Sequence, residues 1–336
     1  MSRRVLAAEE RYIIRCPIQK PGVQQLDILD VRILREFVQD RESHPLQSEV
    51  RKSFRAVAEK LDVDEATVRN RVRRLFASGF IEEWNVIINP GLLGLRFSQF
   101  RCNVADVSAK QETIQRIMLV HGVLMVTDFF GSALRITAFH EDKQTELDQK
   151  DLISGLCGAE IIVGSDMGFP ACSVRLTAAD WQLIKSIRTD PWKRFKEISR
   201  ETSLSTKTVK RRLIRLIEGK ALYMTMSIDP KALRGVIPAE LLVVYESAEA
   251  KRKANGGVVS RLSDMLLSAQ VGDREHALFM LLLGNVYEAT LFLRWLKGRS
   301  GIREAYLDIV QERIELYGNL DRKISSVLKT REHEHA

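Results

Sequence analysis

Apolar residues recur at three-and-four spacing in "LDILDVRIL" from Leu26 and again in "LTAADWQLI" from Leu176, the rhythm of an amphipathic helix. The two stretches set Asp30 against Asp180. Further on, "FRAVAEKLDVDEATVRNRVRRL" from Phe54 aligns without gaps on "FKEISRETSLSTKTVKRRLIRL" from Phe195. Phe54, Val57, Val63, Thr67, Val68, Arg71, Val72 and Leu75 fall on Phe195, Ile198, Leu204, Thr208, Val209, Arg212, Leu213 and Leu216, which reads as an internal repeat. Each copy predicts helix, turn, helix. Asp64 and Ser205 stand where an N-cap oxygen is needed, and Gly79 and Gly219 follow the last apolar turn, where a left-handed residue ends a helix. The β-rich "FIEEWNVII" and "LYMTMSI" are bounded by Asn-Pro and Asp-Pro, with Pro90 matching Pro230, and predict a wing after each helical trio.

Between these units the rhythm changes. A strand pattern runs from Leu95 to Asp106, then a helix near Lys110 to His121, strands in "VLMVTDFF" and "ALRITAFH", a helix in "DKQTELDQKDLISGL" and a strand in "AEIIVGS". That order, βαββαβ, is the ferredoxin-like plan. A looser second copy offers "AELLVVYES", a helix near Val258 to Ser268, "HALFMLLLG", a helix "YEATLFLRWLKG" and a long strand "IREAYLDIVQERIEL". The expected fold class is α+β, with two winged helix-turn-helix domains alternating with two ferredoxin-like domains. The expected boundaries are a tail over 1–25, a winged domain over 26–92, a ferredoxin-like domain over 93–165, a linker over 166–175, a winged domain over 176–235, a ferredoxin-like domain over 236–318 and a tail over 319–336. The first winged domain carries an extra stretch over residues 40–53.

Composition adds less than charge distribution does. The 336 residues are 45% hydrophobic, and no apolar run is long enough to span a membrane. The charged N-terminus does not resemble a signal peptide, so a cytoplasmic location is expected. Four cysteines without a CxxC pair fit neither a zinc ribbon nor a disulfide framework, and neither a metal nor a cofactor is expected. The formal charge of +8 is uneven: residues 176–230 hold 12 Lys or Arg against 6 Asp or Glu, and residues 26–90 hold 11 against 12. Any polyanion-facing surface is therefore local.

Helical phase then separates the residues of the last helix in each trio. In "LSTKTVKRRLIRL", Thr206, Lys207, Lys210 and Arg211 point away from the Val209, Leu213 and Leu216 stripe, while Ser205 and Thr208 either cap the helix or touch phosphate. In the first copy Ala66, Arg69, Asn70 and Arg73 take the exposed face, and Arg or Asn there can pair with base edges. Thr67, Arg71, Arg74, Arg212 and Arg215 complete the candidate DNA-binding set. Arg71, Arg74 and Arg212 hold either phosphate or an internal carboxylate, and for Arg71 and Arg212, beside the buried stripe, the internal pairing competes evenly with DNA.

The stretches "LDILDVRIL" and "VAEKLDVDEATVRNRVRRLFASGFIEEWNVIINPGLLG", with their weaker second copies, resemble the Lrp/AsnC family of regulators from residue 26 onward. Members are similar to one half of this chain, a helix-turn-helix followed by a ferredoxin-like domain. The resemblance implies a sequence-specific DNA-binding transcriptional regulator with double-stranded DNA as partner and no membrane association. It also implies, for many members, an amino acid or other small effector, and a homodimer formed through the ferredoxin-like domains. With two such domains in one chain they could instead pair with each other, so that a monomer mimics a dimer with two unlike reading heads, and the oligomer is the favoured reading. Gly272 and Asp273 in "AQVGDREHALF" resemble the family's effector-site turn, and Asp128 and Gly131 in "MVTDFFGSAL" are its displaced first-copy counterparts. Ordinary tight turns would use the same residue types.

Two rival classes follow. Some proteins similar to this family, fused two-unit forms among them, decarboxylate haem precursors of the siroheme type with histidines near the wing and in the α+β domain. Neither wing segment here contains His, and His121, His140 and His276 are scattered at element ends. With no Ser/His/Asp order or phosphate-cradling glycine loop, the expectation is that the chain is not an enzyme. The other rival is a protein-binding winged module with Glu82, Glu83 and Trp84 as its surface.

Overall fold

The computed structural model describes residues 26–38, 53–169, 171–188, 190, 193–263, 265–271 and 275–316, with alternate residues from 318 to 326. The expected N-terminal tail, most of the expected C-terminal tail and of the 40–53 stretch, the Gly272–Asp273 turn and the side chains of Glu83 and Trp84 lie outside the described residues. The opening trio comprises α1 (Ile28–Val38), α2 (Phe54–Leu61) and α3 (Glu65–Ala77), followed by strand β1 (Ile81–Ile88). Then come β2 (Arg96–Asn103), α4 (Lys110–Ile117), β3 (Val123–Phe129), β4 (Ala133–His140), α5 (Lys143–Cys157) and β5 (Ile161–Asp166). The same element types recur as α6 (Ala178–Ile187), α7 (Phe195–Thr202), α8 (Thr206–Glu218) and β6 (Leu222–Ile228). The chain continues with β7 (Ile237–Tyr245), α9 (Ala248–Arg261), β8 (Leu266–Val271), β9 (His276–Leu283), α10 (Val286–Lys297) and β10 (Ile302–Glu315). This is an α+β protein. Among the described residues no helix is long and apolar enough to cross a membrane.

The strands form an eight-stranded sheet, order β5-β2-β4-β3-β10-β7-β9-β8, and a separate two-stranded ribbon, β1-β6, all pairs antiparallel. The ribbon corrects one sequence expectation. "FIEEWNVII" and "LYMTMSI" do not each make a wing of their own; they pair with each other from Glu83↔Ser227 to Ile88↔Leu222. Each segment runs into Asn-Pro or Asp-Pro before it could fold back as a hairpin, so the unpaired edge of one is satisfied by the other. A second correction concerns α9 and β8. The stretch read as a helix from Val258 to Ser268 is a helix over Ala248–Arg261 followed by a strand over Leu266–Val271. The true helix is polar apart from a narrow stripe of Ala250, Ala254 and Val258, which pack on the sheet, and this weak periodicity concealed it.

β10 joins the two parts of the sheet. Its first part pairs with β7, from Ile302↔Tyr245 to Ile309↔Ala239, and its end pairs with β3, from Val310↔Phe129 to Glu315↔Met125. The sheet also folds over on itself. Val163 of β5 packs against Leu242, Val244, Leu278 and Tyr306 of the far half. Helices α4 and α5 cover the outer face of the first half through Ile114, Ile117, Ile153 and Cys157, and α9 and α10 cover the second through Val258, Leu262, Phe292 and Leu296.

The helical trios are seated on this framework. Leu26, Val31, Leu34, Leu75 and Phe80 pack with Leu267 and Leu282 of β8 and β9, and the Leu26 N–H donates to the Arg234 carbonyl at 3.1 Å. Edge-to-face contacts from Phe97 to Phe169 and from Phe169 to Tyr223, with ring centroids 5.4 and 5.3 Å apart, tie β2 to β6 across the 166–175 segment. The expected linker is thus part of the packed structure.

Candidate nucleic-acid interface

Both trios are assembled from the same local devices. Asp64 accepts from the Thr67 N–H at 2.8 Å, and Ser205 from the Thr208 N–H at 3.2 Å, so α3 and α8 begin where the N-cap reading places them. The preceding turns pass through left-handed Asp62 and Ser203, each with φ of 56°. Neither was visible in the sequence, because short polar residues reach that region without glycine's signature. At the other end the two trios differ. Gly79 is left-handed with φ of 77°, but Gly219 has φ of −78° and Lys220 takes the left-handed position at 60°. Glycine at 219 answers to space instead: a Cβ there would lie 2.4 Å from Val174 Cγ1 and 2.9 Å from the Arg215 carbonyl oxygen.

Four of the candidate arginines turn inward. Arg71 Nη1 donates to Asp30 at 3.0 Å and to both carboxylate oxygens of Asp27 at 2.6 and 2.7 Å, while Arg74 Nη2 donates to Asp30 at 2.6 and 2.5 Å. In the second trio Arg212 donates to Asp180 at 2.8 Å and Arg215 at 2.5 Å. Asp30 and Asp180 are fully buried, so each needs a cation to offset its desolvation. Arg71, Arg74 and Arg212 therefore take the internal carboxylate that is one of their two expected partners, Arg215 does the same, and the four brace α3 and α8 against α1 and α6. Burial works to raise the Asp180 carboxyl, but hydrogen bonds from Thr177, Arg215 and Arg212 outweigh it and hold it below the usual range.

Thr67 is also engaged locally, donating to Asp64 at 2.6 Å, and Ser205 and Thr208 hydroxyls bond each other at 2.9 Å. Arg69 is half-exposed, paired with Glu65 and over the Phe54 ring. What remains outward on α3 is Ala66, Asn70 and Arg73; on α8 it is Thr206, Lys207, Lys210 and Arg211. Lys207, Lys210, Arg211 and Arg73 make no ion pair with another described residue. The phase reading agrees with this placement except at Arg69, which it puts on the exposed face, and one helix offers three unneutralised cations where the other offers one.

Asp128 and Gly131 do not meet at an open site. The Lys110 ammonium lies 2.6 Å from the Asp128 carboxylate and donates to the Gly131 carbonyl at 2.6 Å, so Asp128 is held in a buried ion pair beneath the exposed turn that carries Gly131. Sequence reasoning missed a group of buried charges: Arg135 with Glu240, Arg313 with Glu240, and Arg101 with Asp308. Charged residues in the middle of apolar strands, as in "ALRITAFH" and "AELLVVYES", were the available signal.

Residues 26–75 match the AsnC-type helix-turn-helix domain. The AsnC-type match spans the first trio up to the last turn of α3. The HTH-type transcriptional regulator Ptr1 of Methanocaldococcus jannaschii is 35% identical over 92 residues, which are 27% of this chain and 56% of that protein. The chain spans about half the length of the curated relatives it matches. Among solved structures, that of Escherichia coli AsnC is 12% identical, with a TM-score of 0.31 over 41% of this chain and 94% of that one. The structure of the siroheme decarboxylase NirDL is 14% identical, with a TM-score of 0.46 over 90% of this chain and 100% of that one. The expectation that the chain is not an enzyme is corrected on this finding, since a solved structure aligned along nearly its whole length is that of an enzyme.

Proposed function

We propose that the chain is a sequence-specific, DNA-binding transcriptional regulator of the Lrp/AsnC type, in which helix-turn-helix units at 26–92 and 176–235, sharing one ribbon, alternate with ferredoxin-like units at 93–165 and 236–318. The observation that carries the reading is the AsnC-type match over 26–75, whose last helix turns Asn70 and Arg73 outward. The second trio repeats the arrangement with Thr206, Lys207, Lys210 and Arg211 on α8. A helix of this kind enters the major groove with its exposed face toward base edges and phosphates, and its apolar stripe holds it on the scaffold. Arg73, Lys207, Lys210 and Arg211 neutralise phosphate, and Asn70 is placed to pair with a base. Thr67, Ser205 and Thr208 set the helix starts, and Arg69 adds a partly neutralised charge.

Footprinting on the protein's own upstream region and on genomic fragments tests this. Discrete protected sites are expected. Changing Lys207, Lys210 and Arg211 to Glu should abolish them, and changing the three to Ala should flatten the slope of log affinity against log salt by about 0.9 per lost phosphate contact. Unchanged affinity and slope would refute the assignment. The alternative, a decarboxylase of siroheme-type substrates, predicts a spectral shift on adding an iron tetrapyrrole and no protection of any fragment.

A further inference from the structure

The face of the first sheet half that meets the second carries Arg101 and Arg135, and the opposing face carries Glu240 and Asp308, with Arg313 at the side. Arg135 donates to both oxygens of Glu240, at 2.6 and 2.5 Å, with the two residues 5% and 2% exposed. Arg101 does the same to Asp308, at 2.8 and 2.9 Å. The two faces are complementary to each other and not to themselves. If two chains met first half to first half, the two arginines of one would face those of the other with no acid between them. Meeting second half to second half would crowd four carboxylates around two Arg313 side chains. Burying like charges in that way is far more costly than the pairing within one chain. The same chain also fills the other two seams, since β3 pairs with β10 and β1 with β6.

A homodimer that binds DNA presents identical helices and reads a site with two-fold symmetry. Here the two outward faces are unlike: Ala66, Asn70 and Arg73 on α3, and Thr206, Lys207, Lys210 and Arg211 on α8. We infer that a single chain is the complete reading unit and that its partner is a duplex site without two-fold symmetry, gripped mainly through the half that α8 enters. This rests on the DNA-binding reading above.

Selection of sites from a random duplex pool with the full chain, followed by sedimentation of the complex, tests the inference. An enriched sequence with no inverted repeat and one chain per duplex is expected. Two symmetrised duplexes, each carrying one half of the selected site as an inverted repeat, should bind about tenfold more weakly or worse, because one helix then faces several wrong base pairs. The duplex doubling the α8 half should retain the steeper salt dependence. An inverted repeat among the selected sites, or two chains per site, would overturn the inference and leave the DNA-binding reading standing. No enrichment at any salt concentration would overturn both. As an internal control on the seam, Arg101→Asp should abolish the single-chain species in sedimentation, and adding Asp308→Arg should restore it. If Arg101→Asp sediments as the parent does, complementarity is not what keeps the pairing within one chain.

Discussion

The helices α3 and α8 are braced alike and exposed differently. Each lays two arginines onto a fully buried aspartate of the first helix in its trio, and each starts from a side-chain cap. Yet α8 leaves Lys207, Lys210 and Arg211 unpaired toward solvent, whereas α3 leaves Arg73 and turns Arg69 back on Glu65. Packing constrains only the face that is buried. The residues that hold each trio together are alike in the two trios, while the outward sets differ, and with them the charge that each helix presents.

The largest expected difference comes from the braces. Asp180→Ala removes the sole carboxylate serving Arg212 and Arg215 among the described residues, and should cost about 3 kcal/mol in urea unfolding, the low end for a broken buried pair because both arginines keep some contact with water. Asp30→Ala should cost less, since Asp27 still holds Arg71. Equal losses would show that Asp27 contributes nothing. Next is Gly219→Ala, where the added methyl meets Val174 and the Arg215 carbonyl; a loss of about 2 kcal/mol is expected from overpacking. Gly79→Ala instead imposes a left-handed alanine and should cost about 1 kcal/mol, measurable by thermal unfolding of the two variants side by side.

Acid should act on both the second trio and the sheet seam. The carboxyl of Glu240, like that of Asp180, is raised by burial but drawn lower by its arginines, Arg135 and Arg313, and the net shift is downward. A carboxyl depressed in the folded state stabilises it above the unfolded value, about 4, and that contribution is lost as pH falls through the folded value. Circular dichroism against pH should therefore show unfolding that begins below about pH 4, with Asp180→Asn less stable at neutral pH and less sensitive to acid. The smallest effect is at the cap: Ser205→Ala should cost about 1 kcal/mol without changing the salt slope of DNA binding. A changed slope would assign Ser205 to phosphate as well.

Much of this could be read along the chain. The stripes Val68, Val72, Leu75 and Val209, Leu213, Leu216 are buried as their spacing demands, and Asp64 and Ser205 cap as their types allow. Periodicity and capping are properties of neighbours three or four residues apart, so the chain alone determined α3 and α8, their buried faces and the outward place of Arg73, Lys207, Lys210 and Arg211. It did not determine partners. That β1 completes β6, that Asp30 takes both Arg71 and Arg74, and that Glu240 sits between Arg135 and Arg313 were decided only in the folded molecule. An edge strand or a buried charge states a need for a partner, and only the close approach of distant segments selects which one meets it.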